Sequence, residues 1–372
     1  MDFEALIAGR MGQIDSSGIR KVFDLAKQLR NPINLSIGQP DFDVPEPIKA
    51  RAMHAIETGH NKYTVTQGLA ELRRAVLRQE KRESGISHDS VLITSGVSGG
   101  LLLAFMALIN PGDRVAIPDP YFVMYKHLCR LLGGEPLFVD TYPDFRLTPQ
   151  RLEQAGAAEA KLLLLNSPCN PTGRVMPDKD MREVANWAAA NDVFVISDEI
   201  YRAFCYGGRC PSAASFTEEL ILLNGFSKSC AMTGWRLGYA IGPEPIIAQM
   251  AKLQQFSFVC APSIAQYAGM VAVSMSPERH VRAYQAKRDI LYEGLRDRFN
   301  LQRPEGAFYA FVEAPGGDGA EFCRRAIERN VLVIPGSVFS ERNTHFRISF
   351  AADDSVIEEG VTLLCALAEE TR

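Results

Sequence analysis

The chain has 372 residues, 47% apolar and 23% charged, with a formal net charge of −4; these are values for a globular protein of two or three domains, without the basic balance of a nucleic-acid binder. Its longest apolar run in the first third, Leu101–Ile109, is far short of the ~20 residues of a membrane span, and Met1–Ala5 lacks the basic start and apolar stretch of a signal peptide. Eight cysteines without a CxxC pair or Cys/His cluster read as free thiols of a reducing compartment, so the cytoplasm is the default.

In chain order, Ser17–Ala26 reads as a loop entering a helix, with Val22, Leu25, Ala26 and Leu29 on one face. Ile33–Ile37 alternates like a strand and runs into Gly38-Gln39-Pro40-Asp41-Phe42, a loop stiffened by Gly and Pro. Helices are predicted over 46–58 and over Gly68–Glu83, where Leu69, Leu72, Ala75, Val76 and Gln79 recur at helical spacing; the polar loop Asn61-Lys62-Tyr63-Thr64 lies between them. Strand Val91–Thr94 gives way to a Gly/Ser turn, Ser95–Gly100, and then to an apolar helix, Leu101–Ile109. Such a turn feeding a helix N-terminus is an anion site in waiting, because free N–H groups and the positive end of the helix dipole face outward; alone it is equally a plain connection.

Strand Arg114–Ile117 ends in a Pro/aromatic stretch, Pro118–Tyr125, and strand Gly134–Val139 and a short helix, Thr148–Ala155, follow. Lys161–Leu165 opens into Asn166–Gly173; helix Asp178–Ala190 comes next; strand Val193–Ser197 delivers Asp198-Glu199-Ile200-Tyr201; and Leu220–Leu223 runs into a turn presenting Lys228. Non-alternating apolar strands between helices argue for a mostly parallel central sheet sandwiched by helices, and ligands of such sheets sit beyond the strands' carboxyl ends, where Asn170, Asp198, Tyr201 and Lys228 all fall. From about residue 275 the pattern becomes that of a smaller α+β domain: a long charged helix, Pro277–Phe299, strands Phe308–Val312, Val331–Ile334 and His345–Phe350, and helices Ala320–Arg329 and Asp354–Glu369. The expected division is an N-terminal segment, 1–45, packing with the small domain; a large domain, 46–280; and a small domain, 281–372.

The six histidines have no ligand spacing, so no metal is expected. A lysine at the mouth of a buried strand ordinarily snorkels to solvent; here it shares one sheet end with a carboxylate, a tyrosine, an asparagine, an arginine and an anion-binding helix start. That set points to a Schiff base with pyridoxal 5′-phosphate. Asp198 would keep the pyridine nitrogen protonated, and Tyr201 and Asn170 would donate to the ring oxygen. Gly96, Val97, Ser98 and Arg236 would hold the phosphate, and Phe122 would cover a ring face. Lys228, once displaced by the substrate amine, would carry the Cα proton. Arg347 is the candidate clamp for the substrate carboxylate, a task that suits a guanidinium fork.

Taken together, Gly38–Phe42, Asn61–Thr64, Asn166–Gly173, Ser197–Tyr201, Ser227-Lys228, Met232–Tyr239 and Arg347–Phe350 resemble the class I/II aminotransferases of PLP fold type I, closest to the aspartate/aromatic branch. The resemblance covers nearly the whole chain. It implies that Lys228 is the Schiff-base lysine, that the backbone at Gly38 and Asn170 assist Arg347, and that Tyr63 reaches the phosphate of a neighbouring subunit in a homodimer. It also implies that the Ile14–Gly18 segment moves with the small domain. The chain departs from the pattern in having Phe122 where relatives often have Trp, and Gly225 where a phosphate-binding Ser is common, a place Ser98 or Ser227 would take over. Ser98 also stands where some dicarboxylate-using relatives carry Lys, which weighs against aspartate as donor. The expected reaction is transfer of an α-amino group to a 2-oxo acid by a ping-pong route, with small molecules rather than nucleic acid or membrane as partners. A carbon–sulfur β-lyase or decarboxylase on the same scaffold is the alternative; a transcription-regulator module is set aside because the family pattern begins by about residue 17. Ile14, Phe256 and Phe258 lean towards aromatic, methionine or alanine-like donors.

Overall fold

The computed structural model describes residues 1–15, 18 and 29–370; apart from Gly18, the helix expected over Ser17–Ala26 lies outside them. After two short 3₁₀ turns the elements run β1 Ile33–Asn34, α1 Glu46–Glu57, α2 Ala70–Glu83, β2 Ser90–Ser95, α3 Gly96–Leu108, β3 Arg114–Asp119, α4 Met124–Leu131, β4 Glu135–Asp140, α5 Pro149–Gln154, β5 Leu162–Asn166, α6 Asp178–Ala190, β6 Phe194–Asp198 and β7 Leu220–Gly225. They continue with β8 Leu237–Gly242, α7 Glu244–Ser257, α8 Ser263–Ala272, α9 Glu278–Leu295, β9 Tyr309–Glu313, α10 Gly319–Glu328, β10 Val331–Leu332, β11 Ile334–Pro335, β12 His345–Ser349 and α11 Asp354–Glu369.

A seven-stranded sheet of order β2-β8-β7-β6-β5-β3-β4 forms the centre. β3 to β7 are mutually parallel, and β8 alone runs antiparallel to both its neighbours. The run of leucines in β5 explains why both faces are covered: Leu162 and Leu164 enter one hydrophobic core, Leu163 and Leu165 the other, because successive strand side chains point to opposite faces. β6 and β7 divide in the same way, with Ile196, Ile221 and Leu223 on the first face and Val195, Leu220 and Leu222 on the second. A three-stranded antiparallel sheet, β11-β12-β9, carries the C-terminal part, and β1 pairs in parallel with β10.

Several elements differ from the sequence reading. The strand expected at Ile33–Ile37 stops after two residues, because Asn34 Oδ1 accepts from the Ser36 backbone N–H at 3.1 Å and turns the chain. Val331–Ile334 is two strands, one serving Ile33–Asn34 and the other Arg347–Phe346. The Gly/Ser stretch before Leu101 is itself helix, so α3 begins at Gly96. The aromatic stretch after β3 includes a further helix, α4. Among the described residues no helix is long and apolar enough to cross a membrane.

Candidate active site

The carboxyl ends of β2, β3, β5, β6 and β7 share one edge of the sheet and surround a cavity of about 320 Å³. Val97, Ser98, Phe122, Asn170, Asp198, Tyr201, Ser227, Lys228, Arg347 and Gly38 all line it. Of the other residues singled out from sequence, Gly96 and Arg236 stand just behind this lining, against each other. Tyr63 is 82% exposed and outside the cavity.

Lys228 follows β7 in the loop that leads to β8. Its Nζ donates to the Gly38 carbonyl at 2.7 Å and lies 5.7 Å from the centre of the Tyr201 ring. Burial, and then the nearby guanidinium groups of Arg347 and Arg236, bring the amine down to about 8 from its ordinary value, with Asp198 opposing. An amine so lowered has a far larger neutral, nucleophilic fraction near physiological pH than a solvated lysine, although the protonated form still predominates there.

Asp198 ends β6 and is 3% exposed. The Tyr125 hydroxyl donates to its Oδ2 at 2.8 Å and the Ile200 N–H to its Oδ1 at 3.2 Å. Burial raises it to about 6; the Tyr125 bond resists that rise. Buried anions are ordinarily paired with a cation, whereas the donors that reach this one are a hydroxyl and an amide. Asn166 joins the two neighbouring strand ends, donating from Nδ2 to the Asp198 carbonyl at 2.9 Å while its Oδ1 accepts from the Asn170 N–H at 2.9 Å.

Arg347 comes from β12 and is the largest fully buried side chain among the described residues. Its guanidinium lies 4.5 Å from the ring centres of both Tyr309 and Phe339. Nη1 donates to Asn170 Oδ1 at 3.0 Å and Nη2 to the Ser36 carbonyl at 2.8 Å, while Nε–H is buried without a partner among the described residues. Desolvation pulls its ionisation down. A buried guanidinium with neutral acceptors and a spare donor is short of an anion.

At the other end of the cavity, Gly96 starts α3 with φ +69°, and a Cβ there would lie 2.6 Å from Arg236 Nη2. Arg236 donates from Nη1 to the Thr233 carbonyl at 2.9 Å. The helix N-terminus and the guanidinium therefore meet at one point, a place for an anion. Gly225 is the residue this cradle requires: a Cβ on it would approach the Gly238 Cα and the Leu237 carbonyl to 2.8 Å, so a serine does not fit without moving β8.

Tyr125, Asn166 and Tyr309 are among the lining residues that sequence reasoning passed over, and they are the three whose side chains bond to Asp198, Asn170 or Tyr201. Tyr125 read as a core aromatic, Asn166 as part of a loop and Tyr309 as a strand residue. Only Asn166, following a strand end four residues before Asn170, carried a local signal.

Residues 30–364 match the family model for aminotransferase class I and II, and the chain belongs to that family. It is a pyridoxal-phosphate-dependent aminotransferase of fold type I, in the aspartate/aromatic branch. It is 36% identical to a probable aspartate aminotransferase of Methanocaldococcus jannaschii, over 98% of this chain and 100% of that one. To aromatic-amino-acid aminotransferase 2 of Thermococcus litoralis it is 34% identical, over 98% and 99%. The solved aspartate aminotransferase of Thermus thermophilus with maleate superposes with a TM-score of 0.93 at 33% identity, covering 97% of this chain and 99% of that one. The lyase or decarboxylase alternative is not favoured by these relatives.

The cavity fits the cofactor on its own evidence. It offers a depressed amine, a buried anion without a cation, and a helix start that an added Cβ would fill.

Proposed function

We propose that this aminotransferase works by two half-reactions, first taking the amino group from an α-amino acid and then passing it to a 2-oxo acid, in the cavity around Lys228. Bound there, pyridoxal phosphate supplies an electron sink that makes the amino acid's Cα–H acidic. Lys228 anchors the cofactor and afterwards moves the proton at Cα; an amine poised near 8 suits that task. Asp198 faces the ring nitrogen, with Tyr125 helping to keep it ionised. Tyr201 and Asn170 donate to the ring oxygen. Because Asn170 Oδ1 is taken by Arg347, Nδ2 is its donor end. Gly96, Val97, Ser98, Ser227 and Arg236 hold the phosphate, and Phe122 covers the ring. Arg347 grips the substrate α-carboxylate with Asn170 and the backbone at Gly38.

The observation that carries this reading is the buried, anion-deficient Arg347 facing the same cavity as the depressed Lys228 amine. Once Arg347 has the α-carboxylate, no second guanidinium or spare ammonium remains among the described lining residues for a side-chain carboxylate. Val97, Phe122, Ile37 and Ile200 supply apolar wall instead, which supports aromatic, methionine or alanine-like donors over aspartate. Adding single amino acids to the cofactor-loaded enzyme without acceptor tests both points. A stoichiometric shift of the visible band, with one 2-oxo acid released per site, is expected from phenylalanine or methionine and slower from aspartate. Repeated turnover releasing CO₂ or a thiol would sink the transamination reading.

We assign the boundaries 1–45, 46–280 and 281–372, the first packing with the last through β1 and β10. The exposed Tyr63, Val65 and Phe256 support a homodimer with shared sites. Eight free cysteines support a cytoplasmic enzyme, and the acidic net charge supports neither nucleic acid nor an anionic membrane as partner.

A further inference from the structure

Tyr309 is a fully buried side chain on β9 that stands against three parts of the cavity wall, Tyr201, Arg347 and the backbone at Gly38. Its hydroxyl is 2.9 Å from the Tyr201 hydroxyl. Its ring lies 4.5 Å from the Arg347 guanidinium carbon. A Cβ on Gly38 would stand 2.7 Å from its oxygen, and Gly38 is the residue whose carbonyl accepts from Lys228. Behind it, the turn after Asn170 packs on its backbone: a Cβ on Gly173 would meet the Tyr309 carbonyl oxygen at 2.5 Å.

Each phenol has one proton to give, and the contact between Tyr201 and Tyr309 can be made by either. If Tyr201 gives its proton to the cofactor's ring oxygen, only Tyr309 can supply the proton between the two hydroxyls. A hydroxyl that accepts a hydrogen bond becomes a stronger donor in turn. The ring has a separate task, because a guanidinium stacked on an aromatic face keeps its plane and its edge donors fixed.

We propose that Tyr309 is a positioning residue with two separable parts: its hydroxyl donates to Tyr201 and directs Tyr201's own proton to the ring oxygen, while its ring holds Arg347 for the substrate carboxylate. The proposal rests on the reading that Tyr201 faces that oxygen.

The test is a spectroscopic pH titration of the cofactor bound at Lys228, alongside kcat and KM for a good amino donor. A donor at the ring oxygen favours the deprotonated form, in which that oxygen carries more charge, so weakening the donor raises the midpoint. Tyr309→Phe keeps the ring and is expected to raise the midpoint by roughly 0.1–0.7 of a pH unit, taking a 10–30% cooperative effect on a charge-assisted bond. Its KM should stay unchanged. Tyr309→Leu should give the same shift and raise KM by roughly 2- to 30-fold through loss of the stacked ring. Tyr201→Phe should shift the midpoint further than either, and adding Tyr309→Phe to it should add nothing. A midpoint unmoved in Tyr309→Phe, or moved equally when Tyr201 is already Phe, overturns the proposal. No shift in Tyr201→Phe itself overturns the reading beneath it and the proposal together. Should the Leu variant not be recovered folded, a raised KM in Tyr309→Phe refutes the assignment of the carboxylate-holding part to the ring alone.

Discussion

Lys228 and Asp198 carry opposite charges in one cavity, yet burial pushes both towards neutrality, the amine down to about 8 and the carboxyl up to about 6. For Lys228 the folded value lies below the unfolded one, so protonation costs the folded chain stability at all pH values below about 8, and that cost is relieved as pH rises from there towards the ordinary lysine value. The neutral amine is the reactive form. The yield of Lys228 trapped by pyridoxal phosphate and borohydride at short times, read by peptide mass spectrometry, should rise with pH through a midpoint near 8. A midpoint above about 10, the value of a solvated lysine, would mean that the burial argument is wrong. Asp198 runs the other way. Its ionised form is penalised above about 6, and Tyr125 offsets part of that penalty. Tyr125→Phe should therefore raise the pH below which the cofactor dissociates, by roughly one unit for loss of a hydrogen bond to a charged group. Unchanged pH dependence of cofactor binding would remove Tyr125 from the account. Neither Tyr125 nor Tyr309 was legible in the sequence, because what each does is fixed by a partner 73 or 108 residues away. The place of Lys228, Asp198 and Asn170 on the cavity was legible because each lies at or within a few residues of the end of an apolar strand, and parallel strands bring such ends to one edge.

Among elements, the long strands and helices follow from local pattern: α6 and α11 have the predicted bounds. The misses occur where tertiary packing overrides propensity. Glycines weaken a helix in isolation, yet α3 begins with Gly96 and includes Gly99 and Gly100. A Cβ on Gly100 would come within 3.0 Å of Leu223 on β7, so close approach of helix to sheet decides the residue. A second piece of packing that no local pattern reveals joins α2, the loop after β6, and β8. Glu80 is 0% exposed; Arg202 donates to both of its oxygens at 2.6 and 2.8 Å, and Tyr239 donates to it at 2.6 Å. Arg202 also donates to Glu199 at 2.7 Å, while Ser197 and Ser212 donate to that carboxylate from its other side. Glu80 and Glu83 face Arg202 from α2, so the cluster ties the segment carrying Asp198 and Tyr201 to the opposite side of the sheet. Arg202→Leu would leave two buried carboxylates without their cation and should cost ~3–5 kcal/mol of stability. Replacing Glu80 and Arg202 together by Leu should cost less. Denaturant unfolding of both variants decides the matter, and equal losses would mean that the pair is not acting as a unit.

At the scale of the whole molecule, the fold type, the reaction class and the cofactor were readable because motifs scattered over nearly the whole chain agree with one another. The proposed homodimer is argued from what this chain leaves on its surface. Tyr63, expected at a phosphate, is 82% exposed and outside this chain's own cavity, and Phe256 is 85% exposed. Large aromatic side chains left in water are characteristic of surfaces that another molecule covers. If Tyr63 completes the neighbour's site, Tyr63→Ala should weaken cofactor binding by roughly 10- to 150-fold, the worth of one hydrogen bond to a charged group, without altering the chain's own lining. The decisive experiment mixes that variant with Lys228→Ala under conditions that exchange subunits. A hybrid dimer then contains one site with Lys228 from the first chain and Tyr63 from the second, both intact, and another site lacking both. Tight cofactor binding should return to about half of the sites in the hybrid, on the order of the C2 symmetry of such dimers, while neither parent binds tightly. If Tyr63 instead folds back onto its own chain's phosphate, every site in the mixture that keeps Lys228 also carries the Tyr63→Ala substitution, and no tight binding returns.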